Sequence, residues 1–182
     1  KFLIWGNKEI RPSKKKILKR DKSLKIILRQ LLPILEKEKI NYWMDSSALL
    51  TICRKDNLSI RSDFDISIEK KYLTKIKKLF KSNKFFYFHQ LKIYKSKFKI
   101  FFTSKNDILS YEPAIVDICF QDFSKKNYIF NYLNPKKKSL KKFFKKFKYI
   151  KYQNLNFKIP FESEKYLKSL YGNWRLRKNY YS

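Results

Sequence analysis

Asp63-Phe64-Asp65-Ile66-Ser67-Ile68 alternates an acidic or hydroxyl side chain with a large apolar one at every step. A period of two marks a β-strand with one buried face, so Phe64, Ile66 and Ile68 point into a core while Asp63, Asp65 and Ser67 share the other side. Residues two apart on a strand lie ~6.6 Å apart at Cα, close enough for both carboxylates to reach one cation. Taken alone, the pattern also describes many solvated strand faces. The flanking segments give it chemical meaning.

Upstream, Ile40 to Met44 reads as a short buried strand, and Asp45-Ser46-Ser47 places three capping-type residues ahead of Ala48-Leu49-Leu50. A strand that ends in small polar residues opening a helix turns free backbone N–H groups toward an incoming phosphate, although plain N-capping accounts for the same residues. Lys55 to Ser59 is a polar loop. Downstream, Leu73, Ile76 and Phe80 predict a helix, 84–94 and 97–103 predict two strands of a meander, and Ala114 to Phe120 predicts another strand. Asp117 is the single charge in that apolar segment, where a lone carboxylate is costly to bury. Its partner is either one of the many lysines or the acidic strand itself. If the two strands adjoin, three carboxylates form the cluster that metal-assisted phosphoryl transfer requires.

Further out, Leu24, Ile27, Leu28, Leu31 and Leu35 follow helical spacing from Ser23, with Pro33 expected to kink or interrupt the last turns. Residues 1–20 read as a basic arm and 21–182 as one catalytic domain. Between Pro135 and Lys148, Leu140, Phe143, Phe144 and Phe147 fall at i, i+3, i+4 and i+7 among eight lysines, which predicts a basic amphipathic helix. Such a helix docks on the core or lies on an anionic membrane surface. A hairpin over 147–159 and a helix over 162–171, capped by Gly172, complete the chain.

Composition bounds the rest. A chain of 182 residues with 43% hydrophobic and 18% aromatic residues builds a real core, so its charges belong on the surface of something folded. The net charge of +30 favours anionic partners, but abundant Lys, Asn, Ile, Phe and Tyr beside two glycines is also what an AT-rich genome yields whatever the function. Cys53 and Cys119 are too few for a disulfide framework and read as buried thiols; one histidine, His89, disfavours dyad or triad mechanisms. No apolar run reaches the ~20 residues of a membrane span. Beginning at Lys1 instead of a methionine, the chain reads as a piece of a longer protein.

In order along the chain, these segments resemble the LicD family, which includes phosphocholine transferases of bacterial surface glycans and fukutin-type ribitol-phosphate transferases. Ser47-Ala48-Leu49-Leu50-Thr51-Ile52-Cys53-Arg54 followed by Asp63-Phe64-Asp65-Ile66 is similar to the family's small-residue turn, leucine pair, arginine and D-x-D strand. Asp117-Ile118-Cys119-Phe120-Gln121-Asp122 resembles its D-I-x-P-x-D segment, and Tyr171-Gly172-Asn173-Trp174 its closing Tyr-Gly-Asp-Trp. The chain departs from the family where Ser47 and Thr51 replace glycines, where only Asp63 and Asp65 remain of an acidic string, and at Asn173.

The resemblance implies an α+β fold with a nucleotidyltransferase-like mixed β-sheet flanked by helices, working with Mg²⁺ or with Mn²⁺ in its place. Asp63 and Asp65 would hold a metal on the diphosphate of a CDP-linked donor, Asp117 a metal at the acceptor hydroxyl, and Ser46, Ser47 and Arg54 would face the donor phosphates. A phospho-alcohol would pass to a sugar hydroxyl of a glycan or glycolipid such as a lipopolysaccharide, and CMP would leave. Nucleic acid is not an expected partner; peripheral contact with an anionic membrane is. The place of action would be the cytoplasm or the inner membrane face in a bacterium, and the Golgi in a eukaryote. Two alternatives stand beside this: a nucleotidyltransferase acting on RNA or a small molecule, and a non-catalytic basic module binding nucleic acid or anionic lipid.

Overall fold

The computed structural model describes residues 13–59, 63–81, 86–93, 97–104, 114–131, 136 and 138–176. The chain opens on helix α1 (Lys14–Lys37), then strand β1 (Tyr42–Met44), helix α2 (Ser46–Arg54) and strand β2 (Asp63–Glu69). A 3₁₀ turn leads into α3 (Leu73–Phe80), followed by β3 (Phe86–Ile93), β4 (Lys97–Ser104), β5 (Ile115–Asp122), β6 (Tyr128–Asn131) and β7 (Lys138–Leu140). A second 3₁₀ turn, Lys141–Phe144, precedes β8 (Phe147–Tyr152), β9 (Leu155–Pro160) and α4 (Ser163–Tyr171).

The mixed sheet runs β1-β2-β5-β4-β3, with β6 paired to β5 and β7 to β6. Among the described strands only β2 and β5 run parallel, in the register Asp63↔Ile115, Asp65↔Asp117 and Ser67↔Cys119; the other described pairs are antiparallel. The alternation read from the sequence is realised: Phe64, Ile66 and Ile68 are buried together with Val116, Ile118 and Phe120 of β5. The opposite face carries Asp63, Asp65, Ser67, Asp117 and Gln121, and on that side Ser47 of α2 bonds to the Asp65 carboxylate while the N-cap residue Asp45 accepts from Ser67.

Helix α1 begins at Lys14, nine residues ahead of its apolar pattern, and takes in part of the expected basic arm; residues 1–12 lie outside the described residues. Arg20 and Asp21 are already buried, and Asp21 receives the Ser59 N–H at 3.3 Å, so a polar tie to the loop before β2 holds this turn where the hydrophobic signal is silent. Pro33 does not end the helix, which continues to Lys37. Pro33 is exposed, so water can satisfy the carbonyl its ring frees, while buried Leu31, Leu32 and Leu35 anchor the turns on either side.

Among the described residues of Pro135–Lys148 the predicted amphipathic helix does not form. Lys138–Leu140 pairs with β6, and Lys141–Phe144 makes a single 3₁₀ turn. Tertiary packing overrides the helical spacing: Phe144 lies 5.2 Å from the Trp43 ring and 5.0 Å from Tyr166, and Phe143 5.5 Å from Tyr166. These aromatics are core, not a membrane-facing stripe. The hairpin β8–β9 turns at Gln153 and Asn154, both with positive φ (47° and 61°), as a two-residue primed turn requires. The two meander strands occur as β3 and β4, with residues 84, 85 and 94 outside the described residues; His89 stands on β3 opposite Phe101.

Candidate active site

Asp63, Asp65 and Asp117 converge. Each offers a carboxylate oxygen within 4.8 Å of the others, Asp117 being buried at 4% exposure and the other two half-buried. The parallel pairing of β2 with β5 produces this, since it sets Asp65 directly beside Asp117 on the same face. Three hard oxygen donors at such spacing fit Mg²⁺ or Mn²⁺, which take few carboxylates and complete their shell with water and phosphate. Burial and the neighbouring Asp63 charge push the Asp65 carboxyl up to about 6, with Asp117 and Asp45 adding to the rise and the Ser47 hydrogen bond opposing it. A divalent cation would reverse that balance.

The start of α2 faces this cluster. Ser47 donates to Asp65 Oδ2 from its hydroxyl at 2.6 Å and from its backbone N–H at 3.2 Å. Asp65 therefore occupies the donors that the sequence assigns to a phosphate, and Ser47 orients a carboxylate of the cluster. Ser46 has φ +44°, in the left-handed region where a Cβ costs energy. The glycine requirement of this turn thus falls on Ser46, one residue before the Ser47 position inferred from the family pattern. Ser46→Gly should raise stability by about 0.5–1 kcal/mol, read as a shift in the urea midpoint; an unchanged or lower midpoint would show the strain is negligible.

Asp45, the N-cap of α2, is buried with its carboxylate engaged by protein donors. Its Oδ1 accepts from the Ser46 N–H at 2.7 Å and from the Tyr166 hydroxyl at 2.6 Å, and its Oδ2 from Ser67 Oγ at 2.6 Å and, more distantly, Gln121 Nε2 at 3.5 Å. Gln121 also donates to Ser67 at 2.9 Å. Sequence reading missed this network because Tyr166 looks like one more apolar position of a helix. Buried Gln121, polar at the end of an apolar strand, was the available clue.

Arg54 sits at the other end of α2, where its guanidinium donates to the carbonyl oxygens of Trp174 and, at 2.9 Å, Leu176. Asp122, from the same family-like segment as Asp117, pairs with Lys70 at 3.1 Å and caps Ser124. Trp174 is buried beneath the Arg175 guanidinium, 4.5 Å from the ring centroid. Cys53 and Cys119 are half-buried thiols that form no disulfide, Cys119 Sγ lying 3.8 Å from Asp65 Oδ1. A cleft of about 410 Å³ between α1 and the β8–β9 hairpin is lined by Glu36, Tyr42 and Tyr149, on the face of the sheet away from the carboxylates. Among the described residues no helix is long and apolar enough to cross a membrane.

No protein-family model matches the chain, and no curated protein matches it in sequence. In three dimensions it is similar to the lincosamide antibiotic adenylyltransferase LnuA with lincomycin bound, at a TM-score of 0.53 and 14% identity, covering 83% of this chain and 87% of that one. The fold is nucleotidyltransferase-like. Membership of the LicD family is not shown by this likeness, which speaks for the fold alone. Within the nucleotidyltransferase-like fold, the three clustered carboxylates form the candidate metal centre.

Proposed function

We propose that this chain is a Mg²⁺- or Mn²⁺-dependent nucleotidyltransferase that moves a nucleoside monophosphate from a nucleoside triphosphate to a hydroxyl of a small molecule or RNA. The observation that carries this reading is the convergence of Asp63, Asp65 and Asp117 within 4.8 Å on neighbouring parallel strands. The nucleotidyltransferase-like fold, seen also in an adenylyltransferase, supports the donor chemistry. When bound, the metal would neutralise phosphate charge and sharpen the acceptor oxygen. Asp63 and Asp65 would fix its place against the donor phosphates, with Ser47 holding Asp65 in orientation. Asp117, across the strand pair, would take the acceptor side. The acceptor oxygen forms a bond to the α-phosphorus, the α–β anhydride bond breaks, pyrophosphate leaves with the bonding pair, and the hydroxyl proton passes to a carboxylate or to water.

A second reading is favoured by one specific observation. Arg54 closes the first family-like segment and Trp174 the last, and the two are hydrogen-bonded, so the segments that resemble LicD proteins meet in space. In that reading the donor is CDP-linked, the acceptor oxygen attacks the β-phosphorus, CMP leaves, and phosphocholine or ribitol phosphate reaches a glycan or glycolipid near an anionic membrane. One assay separates the two. Protein with Mg²⁺ and hydroxyl acceptors is given α-labelled nucleoside triphosphates in one series and CDP-choline or CDP-ribitol in another. Label on the acceptor with pyrophosphate release supports the first reading; CMP release with transfer of the alcohol phosphate supports the second. Turnover that survives replacement of Asp63 and Asp65 would defeat the metal-centre mechanism in both readings, whereas no turnover of either donor by the wild type would leave the basic binding module.

A further inference from the structure

We propose that Tyr166 of helix α4, acting through the Asp45 carboxylate, is a positioning residue for Asp65, so that the C-terminal segment sets the geometry of the metal centre. This inference rests on the metal-centre reading above. Helix α2 has nine residues, about 13 Å, and it is held at both ends by residues 163–176. At its start the Tyr166 hydroxyl shares Asp45 Oδ1 with the first helical N–H, at 2.6 and 2.7 Å. At its end Arg54 is bound to the Trp174 and Leu176 carbonyls. Trp174 is buried and lies under Arg175, which pairs with Glu164 of α4 at 2.6 Å, so the anchoring segment is itself braced.

Two links carry that position to the metal centre. The Asp45 backbone N–H donates to the Asp65 carbonyl at 3.2 Å, and Ser47, two residues on, grips Asp65 Oδ2 twice. A metal shell tolerates only about 0.5 Å of ligand displacement. Outer partners that fix ligand orientation typically carry 10–100-fold of metal affinity. Tyr166 touches Asp45 and the buried Phe143 and Phe144 rings, and it supplies no ligand atom.

The test uses the full chain and reads metal binding without turnover, by Mn²⁺ paramagnetic resonance titration. Wild-type binding that Asp65→Asn removes establishes the centre. Tyr166→Phe keeps the ring packing and removes the hydroxyl with its hydrogen bonds to Asp45 and Ser139, and its Mn²⁺ dissociation constant should rise about tenfold. Leu167→Val, a neighbouring core change on α4, should lower thermal stability and leave Mn²⁺ affinity at the wild-type value. Should Tyr166→Phe fold poorly, Ser67→Ala removes the donor on the other Asp45 oxygen and should weaken Mn²⁺ binding in the same way. Wild-type affinity in the folded Tyr166→Phe or Ser67→Ala protein overturns the positioning role and leaves the proposed function standing. No Mn²⁺ binding by the wild type overturns the metal-centre reading and this inference with it.

Discussion

Asp65→Asn is expected to lower turnover by on the order of 10³ while making the metal-free protein more stable. The loss follows from the several kcal/mol that a correctly held metal contributes to phosphoryl transfer, at about 1.4 kcal/mol per tenfold in rate. The gain follows from electrostatics. Burial and the Asp63 charge raise the Asp65 carboxyl from its ordinary 3.8 to about 6, so its ionised form is disfavoured in the fold. Above pH 6 both folded and unfolded chains carry the charge, and the fold bears the full cost, about 3 kcal/mol at 1.4 kcal/mol per pH unit. As pH falls below 6 the folded chain takes up the proton first and the cost fades, reaching nothing below about 4. The neutral amide removes the charge and still accepts from Ser47. Its advantage in thermal midpoint, roughly 5–10 °C at pH 7–8, should therefore shrink toward zero by pH 4. Mg²⁺ should raise the wild-type midpoint and leave that of the variant unmoved. Full turnover in the variant would remove Asp65 from the metal centre. A midpoint lowered at pH 8 would mean that the carboxylate stabilises the fold.

Much of this arrangement was legible because it depends on local patterns. The two-residue period of Asp63 to Ile68 fixes both strand and face, and Asp117 among Ile115, Val116 and Ile118 advertises a carboxylate that needs company. Pattern alone does not reveal which strands neighbour each other. That β5 lies parallel beside β2, registering Asp65 with Asp117, is a property of the whole sheet. The lysine-rich segment shows the opposite case. Phe143, Phe144 and Phe147 satisfy helical spacing, yet Trp43 and Tyr166 supply an aromatic socket that a 3₁₀ turn and strand ends fill better. Arg54 looked like a phosphate ligand, since arginine near an acidic strand often is one. Its engagement with Trp174 and Leu176 joins residues more than a hundred positions apart, a contact that no local signal encodes.

The Asp45 network leads to the second large effect. Asp45→Ala should cost about 3–5 kcal/mol, because it strands several donors at once. The Tyr166 and Ser67 hydroxyls, the Gln121 amide and the Ser46 N–H all lose an acceptor in a site where Asp45 is 3% exposed and Ser67 wholly buried. Each buried donor without a partner costs about 1–3 kcal/mol, and neighbours in one network do not add fully. Asp45→Asn should cost less. Its oxygen can keep Ser46 and Tyr166, and its amide can donate to Ser67 Oγ once that hydroxyl rotates. The decisive comparison is the double variant Asp45→Ala, Tyr166→Phe. If the cost lies in stranded donors, removing the phenol hydroxyl relieves part of it, and the pair should be less destabilised in urea than the two single changes predict together. If the cost were lost packing alone, the two effects would simply sum. A sum within about 0.5 kcal/mol would therefore count against the network, whereas a shortfall of 1 kcal/mol or more would identify the Asp45–Tyr166 bond as the tie between α2 and α4.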